Sequence, residues 1–542
     1  MEVWTRGDQA VVKCSYEEKA IVKAIGDYRW DKGAQNWIFP IRKLIDIIDK
    51  LHIKYSPETK KVYEQLVKEK HALHGKVNLA NKIKAGTLTK EEINNLILEL
   101  GLDKIDLDSC YEHQKKGILL GALFDSYGFF YDMGLGKTLM MIRLIEYWKK
   151  PSLIVSPLST LESVWQEEIK KWSKLTSVNL WNSLEEFDND YNIYLINYEQ
   201  FKKLIKKKNI EKKIGIIAID ESSKLKSYQS QITKAVLSFK NKIPHRFCLS
   251  GTPAPNNLME YFNQSCFINE ELLGSNFFRF RNTYFFATGY GNFLYTPYAG
   301  TKEAIMTNVG KQAYALHKED CLSLPDKISE CRTIYMDSLQ QKAYDEMLKE
   351  NITELKNCTA LGPNELSKII KLREITGGFI ITTEGLPVKV SDSKMNILKE
   401  ILDEIPNDKQ VIIWIQYHWE ALTIKELLGE EAVIYAGMIS QKEKEKNIND
   451  FINNKKKFLI AHPRSAGYGL NLQNCHYVIW YSISYSYEEY TQACDRCHRS
   501  GQKQNVVYTH LLAKDSIDEV IYKVITKKED LAMSCLNMIK GS

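Results

Sequence analysis

The sequence predicts an α/β chain with two parallel-sheet lobes in tandem. A helical insertion separates the lobes, and a small α+β unit precedes them. Three observations carry that expectation. Short apolar runs alternate with amphipathic helical patterns in two separate stretches, as strands covered on both faces require. At 542 residues the chain is long enough for three or four domains of about 150 residues each. The stretch between the two patterns differs in composition from both flanks. It is rich in Phe, Tyr and Arg (Phe277-Phe278-Arg279-Phe280-Arg281) and then turns helical.

Taken in order, residues 1–55 mix strand and helix signals and form a small unit. Residues 56–107 are charged and mostly helical, a connector. The first lobe, 108–255, has apolar runs at 128–133, 152–157, 192–198, 214–221 and 246–252, with helical patterns at 139–150 and 161–172. The insertion, 256–395, has helical patterns at 339–355 and 364–376. The second lobe, 396–525, has runs at 410–416, 432–436, 457–462, 477–481 and 505–511, separated by helical patterns such as 419–428 and 442–453. Residues 526–542 form a tail.

Composition excludes some classes. The counts of 30 Tyr, 19 Phe and 10 Trp are too high for a disordered chain. The net charge of +6 permits a nucleic-acid partner without demanding one. No apolar run approaches the roughly 18 residues of a membrane helix, and Met1-Glu2-Val3-Trp4-Thr5-Arg6 does not read as a signal peptide. The 11 cysteines are odd in number and scattered, as in a reduced intracellular protein. The expected location is therefore the cytoplasm, or the nucleus in a eukaryote, with no membrane partner.

Three motifs carry chemistry. Asp132-Met133-Gly134-Leu135-Gly136-Lys137-Thr138 follows a strand pattern and opens a helix, the context of a phosphate loop. Gly134 and Gly136 let the backbone approach a phosphate, and the helix start offers free N–H groups. Lys137 would reach the β and γ phosphates of ATP, and the Thr138 hydroxyl would hold Mg²⁺. Tyr131 stands where the usual pattern has its first Gly. The second motif, Ile216-Ile217-Ala218-Ile219-Asp220-Glu221, ends a buried strand in two carboxylates. Asp220 would hold Mg²⁺ and Glu221 would polarise the attacking water. In the third, Gln492 to Gln502, Arg496 and Arg499 sit three apart, on one face of a helix. Such a pair can neutralise charge on a γ phosphate. Cys494-x-x-Cys497-His498 also spells a haem attachment pattern, but haem attachment needs export. Zinc would need a second ligand pair. Packing is the expected role of both cysteines, with neither haem nor zinc.

In this order the motifs resemble those of the Swi/Snf-type ATPases of helicase superfamily two, from about residue 111 to 519. The resemblance implies two RecA-like lobes and a DNA-dependent ATPase of helicase or translocase type. Tyr111-Glu112-His113-Gln114 resembles the Q motif, which implies that Gln114 reads adenine, with Met133 to Thr138 completing the nucleotide site. Ser156-Pro157, with Trp165 and Glu168, resembles a DNA-side motif, as does Asn197-Tyr198-Glu199. Leu249-Ser250-Gly251-Thr252-Pro253 resembles the motif that couples hydrolysis to lobe movement. That implies coupling through Ser250, Gly251, Thr252 and Gln492. The loop Ser465 to Leu472 is close to the family's second-lobe loop. The implied DNA contacts are Ser156, Pro157, Thr252, Gly467 and Asn471. Leu324-Pro325-Asp326-Lys327 and Leu372 to Gly378 resemble landmarks of the family's helical insertion. The implied partner is duplex or branched DNA, weakly sequence-specific, bound by a monomeric motor. A DNA clamp gated by ATP and an RNA remodeller are the alternatives.

The chain departs from the family in two places. Asp220-Glu221-Ser222-Ser223 replaces Asp-Glu-Ala-His, so the histidine's usual contact with the coupling motif is lost, and Ser222 or Ser223 could replace it. The family's Asp and Trp-Asn-Pro are absent from Tyr481 to Tyr487. Tyr28-Arg29-Trp30-Asp31 and Trp37-Ile38-Phe39-Pro40 are similar to the HARP domain of annealing helicases. That similarity implies a role for residues 1–55 in recognising branched DNA.

Overall fold

Each apolar run anticipated in the two lobes is a strand, and all of them lie in two parallel sheets. The computed structural model describes residues 1–207, 209–288, 294–322, 324–355, 363–382, 384–466, 470, 472–499 and 501–527. Lobe one has a seven-stranded sheet. From edge to edge its strands are Ala313–Leu316, Ser126–Tyr131, His245–Leu249, Ile216–Asp220, Ser152–Ser156, Ile193–Asn197 and Ser177–Asn179. Every neighbouring pair is parallel. Lobe two has a six-stranded sheet in the order Lys327–Ile334, Val506–Ala513, Tyr477–Trp480, Val411–Trp414, Phe458–Ala461 and Ala432–Tyr435. It too is parallel throughout. Helices cover both faces, so the central strands bury every side chain and show no alternation.

The segment expected to form an insertion, 256–395, is divided between the lobes. The helix Tyr261–Ile268 packs into the core of lobe one, and Ala313–Leu316 is that lobe's edge strand. Lys327–Ile334 is an edge strand of lobe two. The helices Ser338–Leu355 and Pro363–Thr376 place Tyr344, Leu372 and Ile375 in the lobe-two core. Lys327–Ile334 escapes a search for apolar runs for a physical reason. An edge strand meets solvent on one side, and Lys327–Ile334 is mostly exposed along its length.

Residues 1–55 form a five-stranded sheet around Val3, Val12, Trp37 and Phe39, capped by the helix Leu44–Leu51. Arg29–Asp31 and Asn36–Pro40 are neighbouring antiparallel strands, with Trp30 opposite Trp37 and their rings 4.6 Å apart. This unit docks on lobe one through charge. Arg42 pairs with Glu270 at 2.5 Å, Lys240 closes on the same carboxylate, and Arg279 pairs with Asp27 at 3.2 Å. Among the described residues, no helix is long and apolar enough to cross a membrane.

The connector is helical over Pro57–Ala85 and Lys90–Leu100. Ser56 caps the first helix by accepting from the Thr59 N–H at 3.2 Å. Ala80, Ile83 and Leu96 join the lobe-one core. Arg143, 2% exposed, ties the end of the connector to that core. It donates to Asp106 at 2.7 Å, Ser109 at 2.8 Å, Glu146 at 2.8 Å and the Trp172 carbonyl at 2.9 Å. Arg143→Ala leaves these acceptors unpaired. The expected loss is roughly 2–4 kcal/mol, below the full figure for a buried pair because Asp106 stays half exposed. Urea unfolding measures it, and a loss under about 0.5 kcal/mol, the range of an ordinary surface change, would remove this role.

Candidate active site

The carboxyl ends of the lobe-one strands carry the phosphate loop and the two carboxylates. The strand Ser126–Tyr131 runs into the loop, and the helix Lys137–Trp148 leaves it. Gly134 and Gly136 both have positive φ, +86° and +77°, which only glycine adopts without strain. The Lys137 ammonium curls over its own loop, donating to the Tyr131 carbonyl at 2.6 Å. Burial pulls the Lys137 pKa down, against the raising effect of Glu221 and Asp220. Thr138 is the second residue of the helix.

Gln114 braces the loop. Its amide oxygen accepts from the Tyr111 N–H at 2.9 Å, and its Nε2 donates to the Leu135 carbonyl at 3.3 Å. The His113 Nε2 lies 3.1 Å from the same carbonyl. A Cβ at position 136 would fall 2.0 Å from the Gln114 Nε2, so Gly136 serves this brace as well as the turn. Gln114 is thus engaged inside the loop rather than presented outward.

Asp220 is 7% exposed and Glu221 6%. The Asp220 Oδ2 accepts from the Ser156 hydroxyl at 2.8 Å and the Trp165 Nε1 at 2.9 Å. Its Oδ1 accepts from the Glu221 N–H at 3.0 Å. Ser156, expected as a DNA contact, is fully buried: its short side chain ends beside the carboxylate and holds it. Pro157, half-buried, follows at the strand's end. Tyr198 donates to the Asp220 carbonyl at 2.6 Å and fixes the strand's end. Glu221 has φ +50°, a conformation that costs a non-glycine residue about 1–3 kcal/mol. Burial, and then the neighbouring Asp220, push its pKa up to about 7, against Lys137 and Arg496.

The serines that replace Ala-His divide the missing contact. The Ser222 hydroxyl donates to Gln264 at 2.7 Å, and Gln264 donates to the Pro253 carbonyl at 2.6 Å. This route reaches the coupling motif through an intermediary. The Ser223 hydroxyl donates to Glu488 of lobe two at 3.2 Å, and Gln492 donates to the same oxygen at 3.4 Å. In the coupling motif, Ser250 is fully buried and accepts from the Thr252 N–H at 3.1 Å. Gly251 packs on Met133. Thr252, expected on the DNA side, lines an inter-lobe crevice with Met133, Glu221, Gly251, Gln492 and Asp495.

The arginines enter from lobe two. The helix Tyr487–Cys494 ends before them, so they stand on the turn that follows rather than on the helix. Backbone bonds from Arg496 to Ala493 and from His498 to Cys494 keep that turn near-helical. An Arg496 Nη2 lies 3.8 Å from the Met133 Sδ. The Arg499 Cβ lies 3.5 Å from where Gly134 would carry one. Cys494 and Cys497 lie in the lobe-two core, and burial pushes the Cys494 thiol up to about 12. Gly467 and Asn471 lie outside the described residues.

Sequence reasoning missed Lys318 and Glu488 altogether, and gave Trp165 and Tyr198 to a DNA face. The contacts of Lys318, Trp165 and Tyr198 with Asp132 and Asp220, and of Glu488 with Ser223, span 22 or more positions of the chain, and no local spacing signals such contacts.

The chain matches the family model of the SNF2-related domain over residues 123–377 and that of the helicase conserved C-terminal domain over 393–501. Together these span about two thirds of it. It is 25% identical to "putative protein p41" of Acyrthosiphon pisum secondary endosymbiont phage 1, covering 75% of this chain and 94% of the phage protein. It is 27% identical to an uncharacterized ATP-dependent helicase of Mycoplasma pneumoniae, covering 85% of this chain and 45% of that protein. The transcription regulatory protein SNF2 of Saccharomyces cerevisiae is also 27% identical, over 78% of this chain and 27% of its own length. The chain thus spans less than half of either cellular relative. The Sulfolobus solfataricus SWI2/SNF2 ATPase core in complex with dsDNA aligns with a TM-score of 0.36 and 25% identity, covering 79% of this chain and 96% of that one.

The Glu221 environment sets a pH dependence of stability. An acid whose pKa rises on folding holds its proton more tightly in the folded state. Folding is therefore favoured at low pH and loses ground as pH climbs from about 4.5 to about 7. Glu221→Gln should remove a slope of at most about 1.4 kcal/mol per pH unit across that window. Urea unfolding between pH 4 and 8 reads both proteins, and identical slopes would refute the assignment.

Proposed function

Given that the chain belongs to the Swi/Snf-type ATPases of helicase superfamily two, we propose that it is an ATP-driven DNA translocase acting on duplex or branched DNA. One observation carries the reading. Glu221 of lobe one lines an inter-lobe crevice and feels both Lys137 of its own lobe and Arg496 of lobe two, while Arg496 reaches Met133 and Arg499 packs beside Gly134 of the phosphate loop. Neither lobe alone holds both the base and the charge needed for phosphoryl transfer.

In this mechanism the glycines and the free N–H groups opening the helix Lys137–Trp148 cradle the ATP phosphates. The Lys137 ammonium leaves its loop carbonyls for the β and γ phosphates. Thr138, in the first turn of the helix after the phosphate loop, and Asp220, at the end of its strand, are hard oxygen donors, and such a pair suits Mg²⁺. The bound ion would neutralise phosphate charge. Glu221 takes a proton from the attacking water. A carboxyl with a pKa near 7 suits that exchange at neutral pH. Arg496 and Arg499 balance the charge that develops on the γ phosphate. Hydrolysis then requires closed lobes, and closure is the step that moves DNA. Ser223, Gln492 and Glu488 form a direct hydrogen-bonded link between the carboxylate motif and lobe two, which supports that coupling.

DNA would lie across both lobes, held mainly through phosphates. Binding would be weakly sequence-specific and salt-sensitive. The motor acts as an intracellular monomer. Trp30 and Tyr28, about 40% exposed beside Trp37, support a stacking role for residues 1–55 at an unpaired junction base.

Lys137→Ala is expected to abolish ATP hydrolysis. Arg496→Ala should retain nucleotide binding and lose about 10³-fold in kcat, measured with a fluorescent ATP analogue and a phosphate-release assay. ATPase rates on single-stranded, duplex and forked DNA, and on duplex RNA, test the substrate. A rate indifferent to added DNA would sink the motor reading. Displacement of a third strand from a triplex distinguishes directional movement from an ATP-gated clamp, which leaves the triplex intact.

A further inference from the structure

Lys318 lies in the stretch that joins the two lobes, just after the edge strand Ala313–Leu316. It is only 4% exposed. Its backbone N–H donates to the Asp132 Oδ2 at 3.0 Å, at the entrance to the phosphate loop. Its ammonium pairs with the Asp495 Oδ1 at 2.8 Å and donates to the His498 carbonyl at 2.9 Å. Asp495 and His498 flank Arg496, and His498 precedes Arg499. The Lys318 Cε lies 3.9 Å from where Gly134 would carry a Cβ. One residue therefore touches the nucleotide loop of lobe one and the arginine turn of lobe two.

Both partners of the Lys318–Asp495 pair are nearly out of water, 5% and 7% exposed at the side chain. A buried pair of this kind adds little net stability, because desolvation offsets the attraction, but it can fix one arrangement over another. A pair that merely held a fold together would join elements within one lobe. This one joins two lobes, at the position where the reaction needs its arginines.

We propose that Lys318 is a positioning residue for ATP hydrolysis: it fastens the turn carrying Arg496 and Arg499 to the phosphate loop, and so selects the closed arrangement of the lobes. The inference rests on the reading of the site as an ATPase. It assigns Lys318 no contact with nucleotide. Its loss should therefore slow turnover without weakening ATP binding.

The test uses the full chain with Lys318→Met, Lys318→Arg, Asp495→Asn and the Lys318→Met/Asp495→Asn double variant. The readouts are kcat and KM for ATP at saturating duplex DNA, and energy transfer between one dye on each lobe. Lys318→Met should lower kcat about 30-fold, about 2 kcal/mol of barrier, with KM nearly unchanged and a longer inter-lobe distance. Lys318→Arg should restore most of both. The double variant should be less impaired than the sum of the two single losses, because the Lys318 ammonium and the Asp495 carboxylate share one ion pair. An unchanged kcat, a raised KM with intact kcat, or additive losses would each overturn the proposal. If the wild-type chain hydrolyses no ATP on any DNA, the proposed function fails instead. The inter-lobe distance then decides Lys318 alone, and a distance unmoved by Lys318→Met overturns its role.

Discussion

Asp220 and Glu221 are consecutive carboxyls, both nearly out of water, and two like charges so close do not ionise independently. Much of the surrounding structure follows from this. The Ser156 hydroxyl, the Trp165 indole and a backbone N–H donate to Asp220 and fix the orientation of its carboxyl. Glu221 takes the burden of burial, and its proton is held to about pH 7. The cations that offset this charge come from two sources, Lys137 in the same lobe and Arg496 in the other. One of the two offsetting cations thus comes from lobe two, which also brings the opposing carboxylate of Glu488. Bringing the lobes together is an electrostatic event at the carboxylates as much as a packing event at the surface.

The substituted carboxylate motif shows how this geometry survives a change of residue. One histidine would join the motif to its neighbours with a single ring. Here two short hydroxyls do so separately, Ser222 toward Gln264 and Ser223 toward Glu488. A serine reaches less far than a histidine, so each needs a longer partner to complete the path. Gln264 and Glu488 are those partners, and both are long, polar side chains on helices.

Central strands and the phosphate loop were legible in the sequence because each is dictated locally. A strand buried on both faces must be a continuous apolar run, and a loop that approaches phosphate must be glycine-rich. The edge strand Lys327–Ile334 was not legible, since solvent along its length relaxes its composition, and the four apolar residues Ala313–Leu316 went unrecognised, so the middle segment read as an insertion. The site divided in the same way. Lys137, Asp220, Glu221, Arg496 and Arg499 were singled out by type and spacing, which are local properties of the chain. The roles of Ser156 and Gln114 were not, because they depend on what their side chains meet. Ser156 ends beside Asp220 instead of solvent, and Gln114 turns into the loop. The arginines were assigned to a helix that in fact stops at Cys494.

The division of the middle segment has a mechanical consequence. Ala313–Leu316 completes one sheet and Lys327–Ile334 completes the other, with only about ten residues between them. A span of that length reaches at most about 35 Å when fully extended. Each lobe therefore stays at an effective concentration on the order of millimolar relative to the other, whatever the state of the crevice. The lobes behave as a hinged pair rather than as two bodies that must find each other by diffusion. Any parting of the lobes is thereby confined to a short range.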